Sequence, residues 1–221
     1  MDLIKINLGC GHVRPAGWIN TDSSWNANLQ RSPFLRKIVV PLFKHVVYKN
    51  HNLTYMNLNR TWKWGNDSVD IVYASHLYEH LTLDSARLML RESFRCLKPG
   101  GVIRLVVPDL FKLCKKYILE FENQNSKASE SLLWALNLHR EGQYGKLNFL
   151  KKLIFEIQGY PHQHKYMYDS RSLSEKLLHA GFMDLKECRY GQSVYMESCI
   201  KEVEGNVESY LSVYLEALKP F

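Results

Sequence analysis

The chain lacks the features of membrane-spanning, disulfide-stabilised and zinc-ribbon proteins. None of its apolar runs approaches the roughly 18 residues that a membrane span needs. Its cysteines are odd in number, and no two have C-x-x-C spacing; they are Cys10, Cys96, Cys114, Cys188 and Cys199. This argues against a disulfide framework or a structural zinc site and favours a reducing cytosol. The first residues, Met-Asp-Leu-Ile-Lys, show no signal-peptide pattern, so we expect a cytoplasmic protein.

The sequence also lacks a complete dinucleotide fingerprint. Residues 6–22 read "INLGCGHVRPAGWINTD", in which Gly9 and Gly11 directly follow a strand-like run. The third glycine of G-x-G-x-x-G is replaced by Arg14. The spacing from Gly9 to Asp22 is also shorter than the roughly 20 residues that separate the glycines from the acidic residue in that motif. NAD and FAD are therefore disfavoured. Glycines at this place still let the backbone approach a ligand, and Asp22 is placed to accept hydrogen bonds from two ribose hydroxyls.

The charge of the chain is basic, with a formal net charge of +7. This favours acidic partners such as nucleic acid, an anionic glycan or an anionic membrane surface, without deciding among them. Residues 31–49, "RSPFLRKIVVPLFKHVVYK", mix cations with large apolar side chains. They predict a core-facing insertion with solvated lysines; the alternative is a peripheral contact with an anionic membrane.

The first half of the chain predicts strands that alternate with helices. Short runs rich in Val, Ile, Leu and Tyr occur at residues 3–9, 18–20, 52–58, 69–75 and 101–109. Between the last two, apolar residues from Leu83 to Leu97 recur at spacings of three and four, which predicts a helix capped by Thr82 or Asp84. Strand–helix–strand units of this kind indicate a parallel sheet covered by helices.

The second half predicts a helical insertion and an edge hairpin. Residues 110–160 contain amphipathic helix patterns, which we interpret as an insertion or lid above the sheet. The next helix has Ser172 and Glu175 at capping-box spacing and ends at Gly181. Residues 183–191 and 212–219 predict an antiparallel strand pair at a sheet edge. The expected organisation is one domain over residues 1–221, of α/β class.

The densest cluster of reactive side chains is "HLYEH" at residues 76–80. If this segment is helical, His76, Glu79 and His80 project from one face. Histidine suits proton abstraction near neutral pH, so the cluster predicts a general base or a substrate contact. A metal site made by these three residues, or simple packing against the next helix, are the alternatives.

Two further places offer polar groups to a site. In "PHQHKYMYD", His162 and His164 share a face if the segment is extended, and His164 could bind or deprotonate an acceptor from above. A polar loop packed by tyrosines is the structural alternative. Asp109, at the tip of the fifth strand, is a candidate for substrate binding or for capping the next helix.

Three motifs in order resemble the class I S-adenosylmethionine-dependent methyltransferases, specifically the type 11 group. They are "INLGCG…GWINTD", "NDSVDIVYASHLYEHL" and "RESFRCLKPGGVIRLVVPDL". "GWIN-x-D", "VPDL" and "HKYMYDSRSLSEKLLHAGF" resemble a subgroup associated with polysaccharide biosynthesis. The resemblance implies a Rossmann-like fold, mostly a parallel sheet with an antiparallel edge pair and a helical insertion, and S-adenosylmethionine as cofactor.

The resemblance also implies roles for individual residues. Gly9 and Gly11, with Cys10 between them, would contact the methionine moiety of the cofactor, and Asp22 its ribose. The remaining cofactor contacts implied are Asn57 and Leu58 for adenine, with Ser75 and His76 beside the cofactor. Asn7 is also implied as a cofactor contact. Many relatives have an acidic residue at this position, which faces the methionine amino group; asparagine can still accept a hydrogen bond there but supplies no charge.

"HLYEH" is similar to the E-x-x-E-H pattern of certain O-methyltransferases, among them ubiquinone-pathway and small-RNA ribose enzymes, that orient a hydroxyl with a divalent metal. Here His76 replaces the first glutamate, which weakens the case for Mg²⁺ because that ion prefers oxygen ligands. Whether a divalent metal takes part stays open at this point.

These observations predict an O-methyltransferase that acts on a sugar hydroxyl in a surface glycan or its precursor. Catalysis is expected from His80, Glu79 and His164, and substrate binding from Asp109 and His162. The alternatives are an RNA or small-metabolite methyltransferase and a non-catalytic S-adenosylmethionine-binding partner of a glycosyltransferase. No recognisable RNA-binding module or aromatic-basic repeat is present, so nucleic acid is not the favoured partner.

Overall fold

The computed structural model describes residues 3–23, 52–138, 163–204 and 211–221. The segment 31–49, His162 and most of the second half of the predicted insertion lie outside these residues. All five cysteines are free thiols. In the part of the chain that the structure describes, no helix has both the length and the apolar character needed to cross a bilayer.

Seven strands of the described residues form one sheet. They are β1 (Lys5–Leu8), β2 (Ile19–Asp22), β3 (Thr54–Tyr55), β4 (Val69–Ser75), β5 (Leu97–Pro108), β6 (Met183–Cys188) and β7 (Ser212–Leu218). The spatial order is β3-β2-β1-β4-β5-β7-β6. The first five pair in parallel, and β7 pairs antiparallel with both β5 and β6. The predicted parallel sheet with an antiparallel edge pair is confirmed.

The helices of the described residues connect and cover these strands. They are α1 (Leu83–Cys96), α2 (Leu110–Glu122), α3 (Ala128–Ala135), α4 (Ser170–His179) and a single turn, α5 (Ile200–Val203). Thr82 is the N-cap of α1, and its hydroxyl accepts a hydrogen bond from the Ser85 amide. This agrees with the first of the two predicted caps. Helices α2 and α3 account for the first part of the predicted insertion.

The predicted cap of α4 is wrong by one turn. Ser172 is not the N-cap; Asp169 is, and Ser172 is the third helical residue. The Asp169 carboxylate accepts the Ser172 amide at 2.8 Å, and the Ser172 hydroxyl accepts the Asp169 amide at 3.0 Å. The hydrogen bond from the Ser172 amide, which outweighs the effect of burial, lowers the pKa of Asp169. A carboxylate three residues earlier completes the box, so the helix begins at Ser170.

The core has one apolar cluster on each face of the sheet. Alternate residues of a strand point to opposite faces, so Val72 and Ala74 of β4 pack beneath α1 and α4, while Ile71 and Tyr73 pack on the other side. The near-continuous burial of β4 and β5 follows from cover on both faces. The carboxyl ends of the parallel strands thereby meet at one edge, where the glycine loop and "HLYEH" begin.

Candidate active site

The loop after β1 turns sharply at two glycines. Gly9 and Gly11 have φ angles of 59° and 50°, in the left-handed region that favours glycine. The Cys10 amide between them donates to the Thr21 carbonyl of β2 at 2.9 Å. The loop is therefore tied to the neighbouring strand while its glycines keep their left-handed conformation.

Asn7 is 2% exposed, and its side chain stabilises this loop from below. Its amide nitrogen donates to the Val13 carbonyl at 2.9 Å and to Asn20 Oδ1 at 3.0 Å. Asn20 in turn donates to the Pro15 carbonyl at 3.0 Å. The pair Asn7–Asn20 therefore shapes residues 9–17 from within. Asn20 was not predicted from the sequence. The available signal was a second asparagine in the neighbouring predicted strand, within "GWINTD".

Asp22 ends β2 beside the loop. Burial, and then the negative charge of Asp22, raise the pKa of the Cys10 thiol to about 11. The position of the Asp22 carboxylate toward a bound ribose stays a prediction. At neutral pH Cys10 stays protonated and is no nucleophile.

The remaining predicted cofactor residues lie at or just after the carboxyl ends of β3 and β4. Asn57 and Leu58 follow β3: Asn57 Oδ1 accepts the Asn59 amide at 2.9 Å, and Leu58 is buried in the core cluster beneath α1 and α4. Ser75 ends β4 and His76 follows it, with its amide donating to the Val106 carbonyl at 2.9 Å. Their contacts with a cofactor stay predictions.

The segment 76–80 is not an α-helix. His76 has a φ of 50°, and only Tyr78–His80 form a single 3₁₀ turn. The side chains still converge, because the tight turn directs both histidines toward one carboxylate. His76 Nδ1 lies 3.3 Å from Glu79 Oε1, and His80 Nε2 lies 3.9 Å from the same oxygen.

Glu79 is fully buried, yet its carboxylate is not satisfied by the protein. Among the described residues, neither of its oxygens has a hydrogen-bond partner. The backbone carbonyl of the same residue accepts the amides of Lys165 and Tyr166 at 2.8 and 3.2 Å. Burying a carboxylate without hydrogen-bond donors costs folding free energy. Such an unsatisfied group is typical of a functional site that binds a ligand or a proton.

His80 and His164 meet at this carboxylate from distant parts of the chain. Their ring centroids are 4.9 Å apart. His80 Nδ1 lies 3.2 Å from the Gln163 carbonyl oxygen. A carbonyl only accepts, so Nδ1 carries the proton, and Nε2 of neutral His80 presents its lone pair toward Glu79. The structure thus brings together the three residues predicted for catalysis, while His162 lies outside the described residues.

The histidine turn packs directly on the glycine loop. A Cβ built on Gly9 would lie 2.8 Å from Leu77 Cδ1, so the two loops touch where only glycine fits without a shift. Leu8 and Ala74 are paired in the parallel register of β1 and β4. The two loops therefore leave neighbouring strands side by side, as ligand-binding loops of such sheets do.

Asp109 has a structural role as the N-cap of α2. It is 4% exposed, caps α2 by accepting the Phe111 and Lys112 amides at 3.0 and 3.3 Å, and lies 3.3 Å from Lys112 Nζ. Of the two predicted roles, capping is the one that the structure shows; substrate binding stays a prediction.

Asp109→Ala should therefore lower the free energy of unfolding by about 1 kcal/mol, because α2 loses its cap. Urea titration followed by circular dichroism measures this change. Asp109→Ser keeps a capping oxygen and serves as the matched control. An Asp109→Ala protein as stable as Asp109→Ser would contradict the capping role.

Comparison with known proteins identifies a domain family that matches the part of the chain containing this site. Residues 6–105 match the family described as "Methyltransferase domain" (Methyltransf_11). A comparison with curated proteins found no significant match. A SAM-dependent methyltransferase from Archaeoglobus fulgidus is 14% identical with a TM-score of 0.51, over 98% of this chain and 86% of that one. One from Methanosarcina mazei is 13% identical with a TM-score of 0.51, over 100% and 94%. At such identities the solved structures show the fold.

The predicted fold class and cofactor are therefore confirmed. The chain has the Rossmann-like fold, residues 6–105 match a methyltransferase domain, and both agree with the predicted use of S-adenosylmethionine. The likeness to a polysaccharide-associated subgroup stays a prediction.

The residues around the glycine loop fit this cofactor. Among the described residues, a Cβ built on Gly11 would meet only the Gly9 carbonyl oxygen, at 4.0 Å, so a ligand has room to approach the backbone. Gly9 and Gly11 would hold the methionine moiety through their backbone, and Asp22 the ribose hydroxyls. When bound, the cofactor supplies a methyl group on a sulfonium, which is already strongly electrophilic.

Proposed function

We propose that the protein is an O-methyltransferase that methylates a hydroxyl of a sugar, in a surface glycan or its precursor. The observation that carries the proposal is the cluster of the buried Glu79 with the half-buried His80 and His164, which lies beside Leu77, the residue in contact with the glycine loop. An attacking hydroxyl must lose its proton during methyl transfer, and this cluster offers acceptors for that proton.

Two of these acceptors face each other with no described donor between them. Glu79 Oε1 and His80 Nε2 are 3.9 Å apart. Both present lone pairs when Glu79 is ionised and His80 neutral, so a hydroxyl placed between them would relieve their repulsion by donating to one of them. His80 Nε2 would take the proton, and the Glu79 carboxylate would stabilise the imidazolium that forms.

Positioning makes the second contribution. The hydrogen bond from His80 Nδ1 to the Gln163 carbonyl fixes the imidazole ring, and the Lys165 and Tyr166 amides fix the backbone of Glu79. Fixed acceptors hold a hydroxyl in line for attack without a further loss of conformational entropy. The loop 163–166 therefore orders the site in addition to contributing His164.

A groove beside the turn supports an anionic sugar precursor as acceptor. Its volume is about 530 Å³, and it lies between α1 and α4. Tyr78, which belongs to the 3₁₀ turn, and Tyr168 line it, with their ring centroids 5.1 Å apart. Arg87, Arg91 and Lys176 also line it. The two tyrosines are 2% and 4% exposed, so the cations, which suit phosphate, are the polar groups that the groove offers to a ligand. Glu79, His80 and His164 do not line this groove, so it would hold a part of the acceptor away from the reacting hydroxyl.

The experiment that tests the acceptor uses labelled S-adenosylmethionine. The protein is incubated separately with glycan, sugar phosphates, lipid-linked glycan and RNA, and the fraction that acquires label is identified. Label in a sugar hydroxyl supports the proposal. Label in RNA, with steeply salt-dependent binding, would replace it by the RNA alternative. Cofactor binding without label in any fraction would favour the non-catalytic alternative.

Asp22→Ala should weaken cofactor binding by about 10- to 100-fold, because charge-assisted hydrogen bonds of this kind contribute about 1.5–3 kcal/mol. Isothermal titration calorimetry with the demethylated product S-adenosylhomocysteine measures the change. Asp67→Ala, at an exposed turn before β4, is a matched control that should bind normally. Equal affinity of Asp22→Ala and the unchanged protein would remove Asp22 from the site.

A further inference from the structure

We propose that Glu79, His80 and His164 form a binding site for a divalent transition-metal ion, of which Zn²⁺ is the representative probe. One donor atom from each residue lies within 4.8 Å of the other two. The inference rests on the proposed function for its catalytic consequence only: a bound ion would lower the pKa of the hydroxyl and stabilise the oxyanion that forms, and the proton would leave to water instead of to His80.

The spacing of the donors is close to what an ion needs. Zn²⁺ with nitrogen and oxygen ligands at 2.0–2.2 Å in a tetrahedral arrangement separates its donors by about 3.3 Å. Glu79 Oε1 and His80 Nε2 are 3.9 Å apart. These two donors therefore need to approach by about half an ångström, and the His164 donor, which lies within 4.8 Å of both, would move by at most about 1.5 Å.

The buried carboxylate provides an independent reason. Glu79 is 0% exposed, and within the described ranges of the chain its oxygens accept no hydrogen bond. His76 lies 3.3 Å from Oε1, but its side chain is 43% exposed. An ionised carboxylate at such a place requires a compensating positive charge, and an ion held against it supplies one.

The surroundings of His80 match those of a metal-ligating histidine. Such histidines donate their second ring N–H to a carbonyl or carboxylate, which fixes the ring and leaves the other nitrogen for the metal. His80 Nδ1 donates to the Gln163 carbonyl, in the residue next to the third ligand, His164. One short loop thus orients one ligand and supplies another.

The donor set favours a borderline metal over Mg²⁺. Two imidazoles and one carboxylate suit Zn²⁺ and its first-row neighbours, whereas Mg²⁺ prefers oxygen donors and keeps several waters. Three protein ligands also leave a position open, as catalytic zinc sites do. This set differs from the one predicted from sequence, because His164 takes the place of His76.

The test is metal binding by the full chain after removal of metal with a chelator. Zn²⁺ is titrated by calorimetry, and the bound metal is counted by mass spectrometry after gel filtration. We expect one equivalent of Zn²⁺ that equimolar Mg²⁺ does not displace. His164→Ala should weaken binding by at least about tenfold. His76→Ala, which alters a histidine that touches the same carboxylate, should bind Zn²⁺ as the unchanged protein does.

The variants separate this site from the thiols and from misfolding. All cysteines remain in each variant, so Zn²⁺ held by thiols would not respond to His164→Ala. Less than one equivalent, or equal affinity in His164→Ala and the unchanged protein, overturns the proposal; so does loss of binding in His76→Ala alone. His164→Ala is the deciding variant because His164 is not fully buried, so its replacement is compatible with the fold.

The same samples distinguish this proposal from the proposed function. Methyl transfer to a sugar that persists in chelator, without Zn²⁺ binding, would leave the function standing and overturn the metal site. Stoichiometric Zn²⁺ binding that depends on His164, without methylation of any sugar, would leave the metal site standing and overturn the function.

Discussion

Replacing His80 with alanine is expected to lower the rate of methyl transfer by about 10²- to 10⁴-fold, the contribution of a positioned proton acceptor. His80 Nε2 lies 3.9 Å from the buried Glu79 carboxylate, and its Nδ1 proton is held by the Gln163 carbonyl. Alanine removes the acceptor and leaves that carbonyl without its donor. The loss is expected whether His80 takes the proton itself or holds a metal ion.

The measurement is initial-rate kinetics with the acceptor found by labelling, together with calorimetry for S-adenosylhomocysteine. Cofactor affinity should change by less than about twofold, because the effect is on a chemical step and not on cofactor binding. Lys186→Ala, at the exposed edge strand β6, is a control for surface substitution. Undiminished turnover in His80→Ala would exclude His80 from the chemistry.

Arg104→Met should cost about 3–5 kcal/mol of stability, the typical loss when one partner is removed from a buried ion pair. Arg104 is fully buried in β5 on the face opposite α1 and α4. Its guanidinium binds Glu204 through Nε and Nη2 at 2.7 and 2.8 Å, and Glu216 through Nη1 at 2.7 Å. Methionine would leave two buried carboxylates without their shared cation.

The charge of Arg104 is secured by its partners. Burial opposes the charged form, but the hydrogen bonds and charges of Glu204 and Glu216 more than offset it, so the pKa of Arg104 is raised. Glu216 also accepts the Val194 and Tyr195 amides at 2.9 and 3.1 Å. The cluster therefore holds β5, β7 and the loop 189–195 together. Its loss is expected to destabilise all three segments.

Urea unfolding measures this loss as a lower midpoint with an unchanged slope. Arg104→Met combined with Glu204→Gln and Glu216→Gln is the matched control. It removes the uncompensated charges and should recover part of the lost stability, since neutral replacement of a whole ion cluster costs less than breaking it. A cost below about 1 kcal/mol for Arg104→Met alone would show that the cluster is better solvated than the structure indicates.

Local patterns explain why so much of the fold could be predicted. The apolar runs of β4 and β5 and the three-and-four spacing of α1 record which faces are buried, and burial is the main force in folding. The glycines of the loop after β1 are visible in sequence for a similar reason, since only glycine adopts their backbone angles at no cost.

Errors appeared where two local signals competed or where the partner was distant. Asp169 and Ser172 both carry capping oxygens, and the hydrogen bonds of the whole box decided between them. The "HLYEH" segment has helical spacing, yet His76 adopts a positive φ and the turn stays 3₁₀. Arg104 sits within an apolar strand pattern, and nothing near it in sequence shows that Glu204 and Glu216 neutralise it.

The sequence by itself determined the parallel sheet, the glycine loop with Asp22 at the neighbouring strand end, and the choice of histidines as catalytic candidates, because the alternation of strands and helices, glycine geometry and side-chain chemistry are encoded locally. Only the tertiary structure decided that His164 joins Glu79 and His80 instead of remaining in a polar loop, and that Glu204 and Glu216 neutralise the buried Arg104. Those outcomes depend on contacts between segments far apart in the chain, whose pairing is settled by packing and by the cost of leaving buried polar groups unsatisfied.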